Sequence, residues 1–217
     1  MLDLVAPEYK SWGDMPYWDS QEFCFNLKDL DRLDTLPTPR LWFQAMRLTP
    51  LDKVRCVIVG QDPYPTAGIA NGLAFSANTS SFPPTLRNIL REWYEDLGLI
   101  MPLQGNLTPW AKQGVLLINA YPTVRLGEPA SHRKYWQAFL PAVVSALNTQ
   151  RRIIPYILWG GHARKVEQLI DKVHPVVSSS HPSPLSVSKS FRGSRPFSAV
   201  NKILQGLKQE PIDWSLV

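Results

Sequence analysis

Cysteine is scarce in this 217-residue chain: Cys24 and Cys56 stand far apart, with no paired spacing. That excludes a disulfide framework and a thiolate zinc site, and it fits a reducing compartment. The four histidines, His132, His162, His174 and His181, show no ligand spacing with one another, with cysteine or with carboxylates. No metal and no cofactor is therefore expected. Nor does any apolar stretch approach the length of a membrane span. The first residues, Met1-Leu2-Asp3-Leu4, lack the basic-then-apolar pattern of a signal peptide. A cytoplasmic location is expected, with a nuclear or virus-host compartment as the alternative, and no membrane partner. Internal repeats, low-complexity tracts and Gly/Ser linkers are missing as well. At this length, those absences predict one domain over residues 1–217.

What is abundant points elsewhere. Twenty prolines suit rigid, shaped loops, and eight tryptophans suit a dense core or stacking surfaces. The net charge of +5 is unevenly spread. Residues 1–35 form an acidic segment, with eight acids against three bases, so the rest of the chain holds +10. A basic body attracts a phosphate backbone, because Lys and Arg release its condensed counterions. Many basic proteins bind no nucleic acid, so this feature only narrows the field.

Four short runs rich in β-branched residues read as strands: 54–59, 115–118, 153–159 and 175–179. Helical periodicity occupies 85–97, 135–147, 163–170 and 197–207, and residues 27–48 read as helical, broken near Pro37 and Pro39. Strand alternating with helix predicts an α/β fold with a central, mostly parallel four-stranded sheet flanked by helices. Each strand runs into a polar loop stiffened by Pro or Gly. These loops are Gly60-Gln61-Asp62-Pro63-Tyr64-Pro65, Asn119-Ala120-Tyr121-Pro122-Thr123, Gly160-Gly161-His162-Ala163-Arg164 and His181-Pro182-Ser183-Pro184-Leu185-Ser186. Parallel strands share one carboxyl edge, where open α/β sheets bind ligands, so the active site is expected there.

Taken singly, each of these residues fits a plainer role. Asp62 before a proline fits an Asx-turn, Asn119 could simply end a strand, His181 could be structural, and Phe75 fits a core aromatic. Taken together they match a pattern. Gly60-Gln61-Asp62-Pro63-Tyr64, Gly72-Leu73-Ala74-Phe75-Ser76, Leu116-Leu117-Ile118-Asn119-Ala120 and His181-Pro182-Ser183-Pro184-Leu185-Ser186 closely resemble, in order and spacing, the signature segments of family 1 uracil-DNA glycosylases. Phe82-Pro83-Pro84-Thr85-Leu86, Leu158-Trp159-Gly160 and Pro211-Ile212-Asp213-Trp214 resemble the same family. The likeness runs from about residue 40 to the C-terminus and is weaker over the acidic segment.

That resemblance implies a base-excision repair enzyme that flips uracil out of DNA, cuts its glycosidic bond and leaves an abasic site. By resemblance Asp62 and His181 are catalytic, and Leu185 wedges into the gap left by the flipped nucleotide. Gln61 through its backbone N–H, Tyr64, Phe75 and Asn119 hold the base. Pro83, Pro84, Thr85, Gly160, Gly161, Ser183 and Pro184 grip phosphates. Lys189, Arg192 and Arg195 add a salt-sensitive attraction. The implied partners are uracil-containing DNA, single- or double-stranded, and a DNA-mimicking protein inhibitor, with the chain a monomer. Four positions depart from the family's usual pattern: Pro65 replaces histidine, Gly161 replaces serine, Tyr121-Pro122 replaces a small-apolar pair, and Ser188 replaces an aromatic. Two other classes remain to be weighed: an inactive DNA-binding or replication accessory protein, and an enzyme of free nucleosides. A complete base pocket argues against the first, and the leucine wedge with the basic excess argues against the second.

Overall fold

Three apolar runs without a single charged side chain form the middle of the molecule, β2 (Cys56–Gly60), β3 (Val115–Asn119) and β5 (Tyr156–Trp159). All fourteen of their residues are buried, as befits parallel strands covered on both faces. In this computed structural model residues 11–20, 23, 30 and 34–216 are described. With the edge strand β6 (Val176–Ser179), the three make a four-stranded, wholly parallel sheet in the order β3-β2-β5-β6. From β2 the chain first goes to one side, to β3, and then returns to the other, to β5. The switch point therefore lies between β2 and β5, where a crevice opens outside the strand ends. A separate antiparallel pair, β1 (Thr35–Leu36) with β4 (Val124–Arg125), lies outside this sheet.

The helices are short: α1 (Gln44–Leu48), α2 (Pro84–Leu97), α3 (Thr108–Lys112), α4 (Phe139–Asn148), α5 (Gly160–Arg164), α6 (Val187–Ser190) and α7 (Pro196–Gly206). In α2 the apolar spacing buries Leu86, Ile89, Leu90 and Trp93 on one stripe. Pro84 opens it, where a missing N–H costs nothing, and Gly98 closes it at φ 67 with its N–H on the Tyr94 carbonyl. Trp93 and Trp110 both donate their indole N–H to the carbonyl of Trp214, at 2.9 and 2.8 Å, pinning the C-terminal segment to the core. No helix among the described residues is long and apolar enough to cross a membrane.

Three expectations need correction. Where described, residues 27–48 are α-helical only in α1: β1 pairs with β4, and Pro39–Leu41 is a 3-10 turn. Pro37 and Pro39 bring no N–H for a helix, so the chain turns instead. The rest of that stretch, residues 27–29 and 31–33, lies outside the described residues, as does most of the acidic segment. The 153–159 run becomes strand only at Tyr156: Ile154 donates its N–H to His174 Nδ1 and Pro155 has none to give. Finally, the helix expected over 163–170 starts earlier, at Gly160, and breaks into a 3-10 turn at Glu167–Leu169.

Two carboxylates on α2 hold the chain beyond the leucine loop. Glu92, only 2% exposed, accepts the N–H groups of Gly193 and Arg195 at 2.7 and 2.8 Å. Asp96, one turn later, accepts from the N–H groups of Phe197 and Ser198 and so caps α7 from a distant helix. Glu92→Ala should lower stability by about 2–4 kcal/mol through two lost charge-assisted bonds and two stranded donors. Urea denaturation reads this directly, and a change below about 0.5 kcal/mol would show that solvent replaces the carboxylate.

Candidate active site

The carboxyl ends of β2, β3 and β6 carry side chains into one cavity of about 190 Å³. Gln61, Asp62 and Tyr64 enter from the loop after β2, Asn119 is the last residue of β3, and His181 stands two residues beyond β6. Phe75 comes from the loop before α2, and Thr85 from its first turn. Every base-holding and catalytic residue expected from the sequence therefore lines one space.

The register of the sheet sets this geometry. Gly60 pairs with Asn119 across the β2–β3 ladder. Beyond the strands the ladder continues, with Ala120 N–H on the Gly60 carbonyl at 3.0 Å and Tyr121 N–H on the Gln61 carbonyl at 2.9 Å. A Cβ on residue 60 would sit 2.2 Å from Asn119 Oδ1 and 2.8 Å from the Ala74 Cβ, so only glycine fits. Asn119 is 8% exposed, and its Oδ1 is buried with no hydrogen-bond partner among the described residues. Such an acceptor costs about 1–3 kcal/mol until a donor arrives.

Phe75 is held unusually. Its φ of 63 places a bulky residue in the left-handed region. The Tyr64 hydroxyl donates to the Phe75 carbonyl at 2.9 Å, and Ala74 N–H donates to the Leu117 carbonyl at 3.0 Å. Burial pushes the Tyr64 phenol above its ordinary pKa, keeping it a donor. Behind this loop Asn71 donates to Ser76 Oγ, which in turn accepts the N–H of Leu107. The aromatic wall is thus fixed from both sides.

Asp62 Oδ2 accepts the backbone N–H of Ala130 at 2.6 Å. Burial raises the Asp62 pKa, while that N–H and the nearby His162 pull it back down. Ala130 adopts φ 60 to deliver this donor, and the adjoining Pro129 lines the cavity. Nothing in the sequence marks Ala130, because a backbone donor has no residue type. His181 Nδ1 accepts the N–H of Ser183 at 3.0 Å. A ring nitrogen that accepts carries no proton, so the neutral ring keeps its proton on Nε2. Burial lowers the His181 pKa, which favours that neutral form. Gly160, at φ 86, lies against the root of this side chain: a Cβ there would approach the His181 Cβ to 2.8 Å.

Leu185, 92% exposed, stands at the tip of the loop between β6 and α6. The loop under it is rigid. Ser186 Oγ donates to the His181 carbonyl, and Asn88 on α2 donates to the Pro182 carbonyl at 2.7 Å. Pro83 and Pro84 open α2 beside Thr85, and Ser183 and Pro184 directly precede Leu185. Gly160-Gly161, read from sequence as loop, are the first turn of α5. Lys189, Arg192 and Arg195 are exposed beyond the leucine loop and do not line the cavity. The remaining histidines divide: His132 bonds Thr123 Oγ1, and His174 receives the Ile154 N–H, so both are structural.

The description "Uracil DNA glycosylase superfamily" matches residues 46–205. The chain belongs to that superfamily. Relatives named uracil-DNA glycosylase include one from Acinetobacter baumannii, 44% identical over 206 residues, covering 93% of this chain and 86% of the relative. Another, from Phocaeicola vulgatus, is 49% identical over 181 residues, covering 82% of each. Among solved structures the mimivirus uracil-DNA glycosylase superposes with a TM-score of 0.91 at 29% identity, covering 100% of this chain and 90% of that one. A variant of the mimivirus enzyme, TM-score 0.90 at 30% identity, is solved in complex with UGI. As a superfamily member the chain is a DNA glycosylase, and its reaction belongs to base-excision repair.

Gly160→Ala should displace the His181 ring, because the added methyl meets backbone-borne atoms. A shift near 1 Å in a catalytic group costs about 10²-fold in rate. Single-turnover excision by a variant with wild-type circular dichroism measures this, and a rate within about threefold of wild type would show that the ring does not need that approach.

Proposed function

We propose that this glycosylase acts on uracil in single- or double-stranded DNA, flipping the nucleotide and hydrolysing its N-glycosidic bond to leave an abasic site. The observation that carries the proposal is His181: a histidine held neutral, with its proton on Nε2, in the same cavity as Asp62 and Asn119. Uracil departs as an anion and the sugar becomes cationic. Asp62 is the carboxylate that stabilises the sugar and orients the attacking water, as in glycoside hydrolysis. His181 Nε2–H and the Gln61 backbone N–H bond uracil O2, where losing one such donor costs about 10²–10³ in rate.

Recognition rests on Asn119. The terminal torsion of its amide is soft, so Oδ1 can turn to the N3–H of uracil while the NH₂ meets O4. Cytosine offers the reverse pattern, and a site that leaves buried polar groups unpaired rejects its ligand by roughly 10⁴-fold or more. Phe75 stacks on the base, and Tyr64 fills the space where the methyl of thymine would lie. Leu185 occupies the vacated stack. Pro83, Pro84, Thr85, Gly160, Gly161, Ser183 and Pro184 approach the phosphates closely, and Arg192 adds attraction from outside. We read the chain as a cytoplasmic monomer of one domain, open to a DNA-mimicking inhibitor at the same cleft.

Labelled oligonucleotides containing U, T or C, incubated with the protein and EDTA, decide the matter. Abasic sites with U alone support the proposal; DNA binding without product would replace it with a non-catalytic role. Asp62→Asn and His181→Leu should each lower turnover by about 10²-fold or more while folding is retained. Asn119→Asp should raise the C/U ratio at low overall rate, since a carboxylate accepts from the cytosine amino group; an unaltered ratio would remove Asn119 from recognition.

Acidity should act from one side only. Asp62 must be ionised, and burial raises its pKa, so activity is lost on acidification at a pH above the free-Asp value of about 3.9. His181 must be neutral, and burial lowers its pKa, so it protonates only below the ordinary value of about 6.5. A profile of kcat/KM against pH should therefore fall only on the acid side from these two groups. Absence of any acid limb in wild type would remove both groups from the chemistry, and in Asp62→Asn the limb that remains should be that of His181 alone.

A further inference from the structure

Beside the proposed uracil cavity lies a second one of about 310 Å³, whose lining includes Tyr121, Arg133, Trp136, His162 and Lys165. It belongs to the same edge of the sheet: Tyr121 stands two residues beyond Asn119, and His162 two beyond Gly160. A hydrogen bond of 2.9 Å between the Tyr121 hydroxyl and His162 Nε2 joins the loop after β3 to α5, which follows β5. Since β2 lies between those strands, the bond bridges the end of the strand that leads to Asp62. Tyr121 supplies the hydroxyl that makes the bridge.

The electrostatics are one-sided. Arg133 and Lys165 are exposed and form no ion pair among the described residues. Both bear on His162, whose pKa is lowered by burial first and by these two cations next; Asp62 is the opposing influence. No carboxylate is among the lining residues of this cavity. Concave space with two unneutralised cations and hydrogen-bonding side chains suits an oxyanion with the charge and size of a phosphate.

Position decides which phosphate. Leu185 follows the edge strand β6, whereas Tyr121 follows the opposite edge strand β3. We propose that the Tyr121–His162–Arg133–Lys165 cavity is a backbone-phosphate subsite for the DNA strand that carries the flipped nucleotide, on the side away from Leu185. The inference rests on reading this edge as the DNA cleft. It places donors next to Gly161, in the first turn of α5.

The test uses the intact protein and oligonucleotides bearing a non-hydrolysable deoxyuridine analogue, lengthened one nucleotide at a time on the 5′ or the 3′ side. For wild type, affinity by fluorescence anisotropy should step up about fivefold or more when one particular phosphate is added on one side. In the Arg133→Gln/Lys165→Gln double variant that step should vanish, and the slope of log K against log salt should flatten by about 0.7 for a single strand. Tyr121→Phe should reduce the step partially. The ring resonances of His162 should shift with the longer oligonucleotide and not with millimolar inorganic phosphate. An identical step and slope in the double variant would overturn the proposal. So would saturation of the His162 shift by inorganic phosphate, which would mark a site for the free ion. Binding is read here without turnover, so failure to excise uracil would be seen separately.

Discussion

The pairing of Gly60 with Asn119 is the constraint on which the site depends. A parallel ladder brings two strand ends side by side, and here the pair is so close that a single methyl group would strike the Asn119 amide. From that fixed point the loop after β2 turns to present Asp62, while Ala120 and Tyr121 remain bonded to the Gly60 and Gln61 carbonyls. The Phe75 loop is tied to the same strand, through Ala74 and Leu117. Shifting β2 against β3 by one residue would turn every side chain to the other face and separate the amide from the carboxylate. The site is therefore placed by the sheet, whose strands β2, β3 and β5 are buried throughout.

Polarity inside the cavity is deliberate and costly. Asp62 is desolvated with one backbone donor, Asn119 Oδ1 has no partner among the described residues, and Phe75 adopts a backbone conformation that bulky residues avoid. The last two each store roughly 1–3 kcal/mol that a fully satisfied core would not. What sustains them is the surrounding apolar mass: Ile58, Leu117, Tyr156 and Ile157 are fully buried in the strands beneath these loops. Apart from the Asn119 amide, which turns on binding, these groups are preorganised, since what is already fixed in place needs no reorientation when charge develops.

The strands were legible in the sequence because a continuous β-branched run, bounded by turn residues, packs best in a buried sheet. Asp62, Asn119 and His181 each fitted a plainer role singly; their order and spacing, which resemble a family's signature segments, grouped them, and the fold brings all three to one cavity. Devices that act through backbone atoms left no such mark. Ala130 holds Asp62 by its N–H, and Ser183 fixes the tautomer of His181 by its N–H; neither residue type announces that role. Asn88 anchors the Pro182 carbonyl from across the molecule, a contact set by tertiary packing. Residues 27–48 misled for a related reason. Their apolar spacing suits a helix, but the prolines at 37 and 39 and the pairing of Leu36 with Val124 override it.

Charge is distributed by task. No Lys or Arg is among the residues lining the uracil cavity, whereas Arg133, Lys165, Lys189, Arg192 and Arg195 stand outside it. A cation beside the base would stabilise the departing anion, yet it would also oppose the positive charge growing on the sugar a few ångströms away, in a medium where such interactions are poorly screened. In the proposed mechanism a neutral imidazole and a backbone N–H avoid this conflict: they stabilise the anion by dipole and leave the Asp62 carboxylate as the local charge facing the sugar. Peripheral cations can then grip phosphates without entering that balance. In that mechanism the burial that lowers the His181 pKa works in the right direction, because an imidazolium there would help one half of the transition state at the expense of the other.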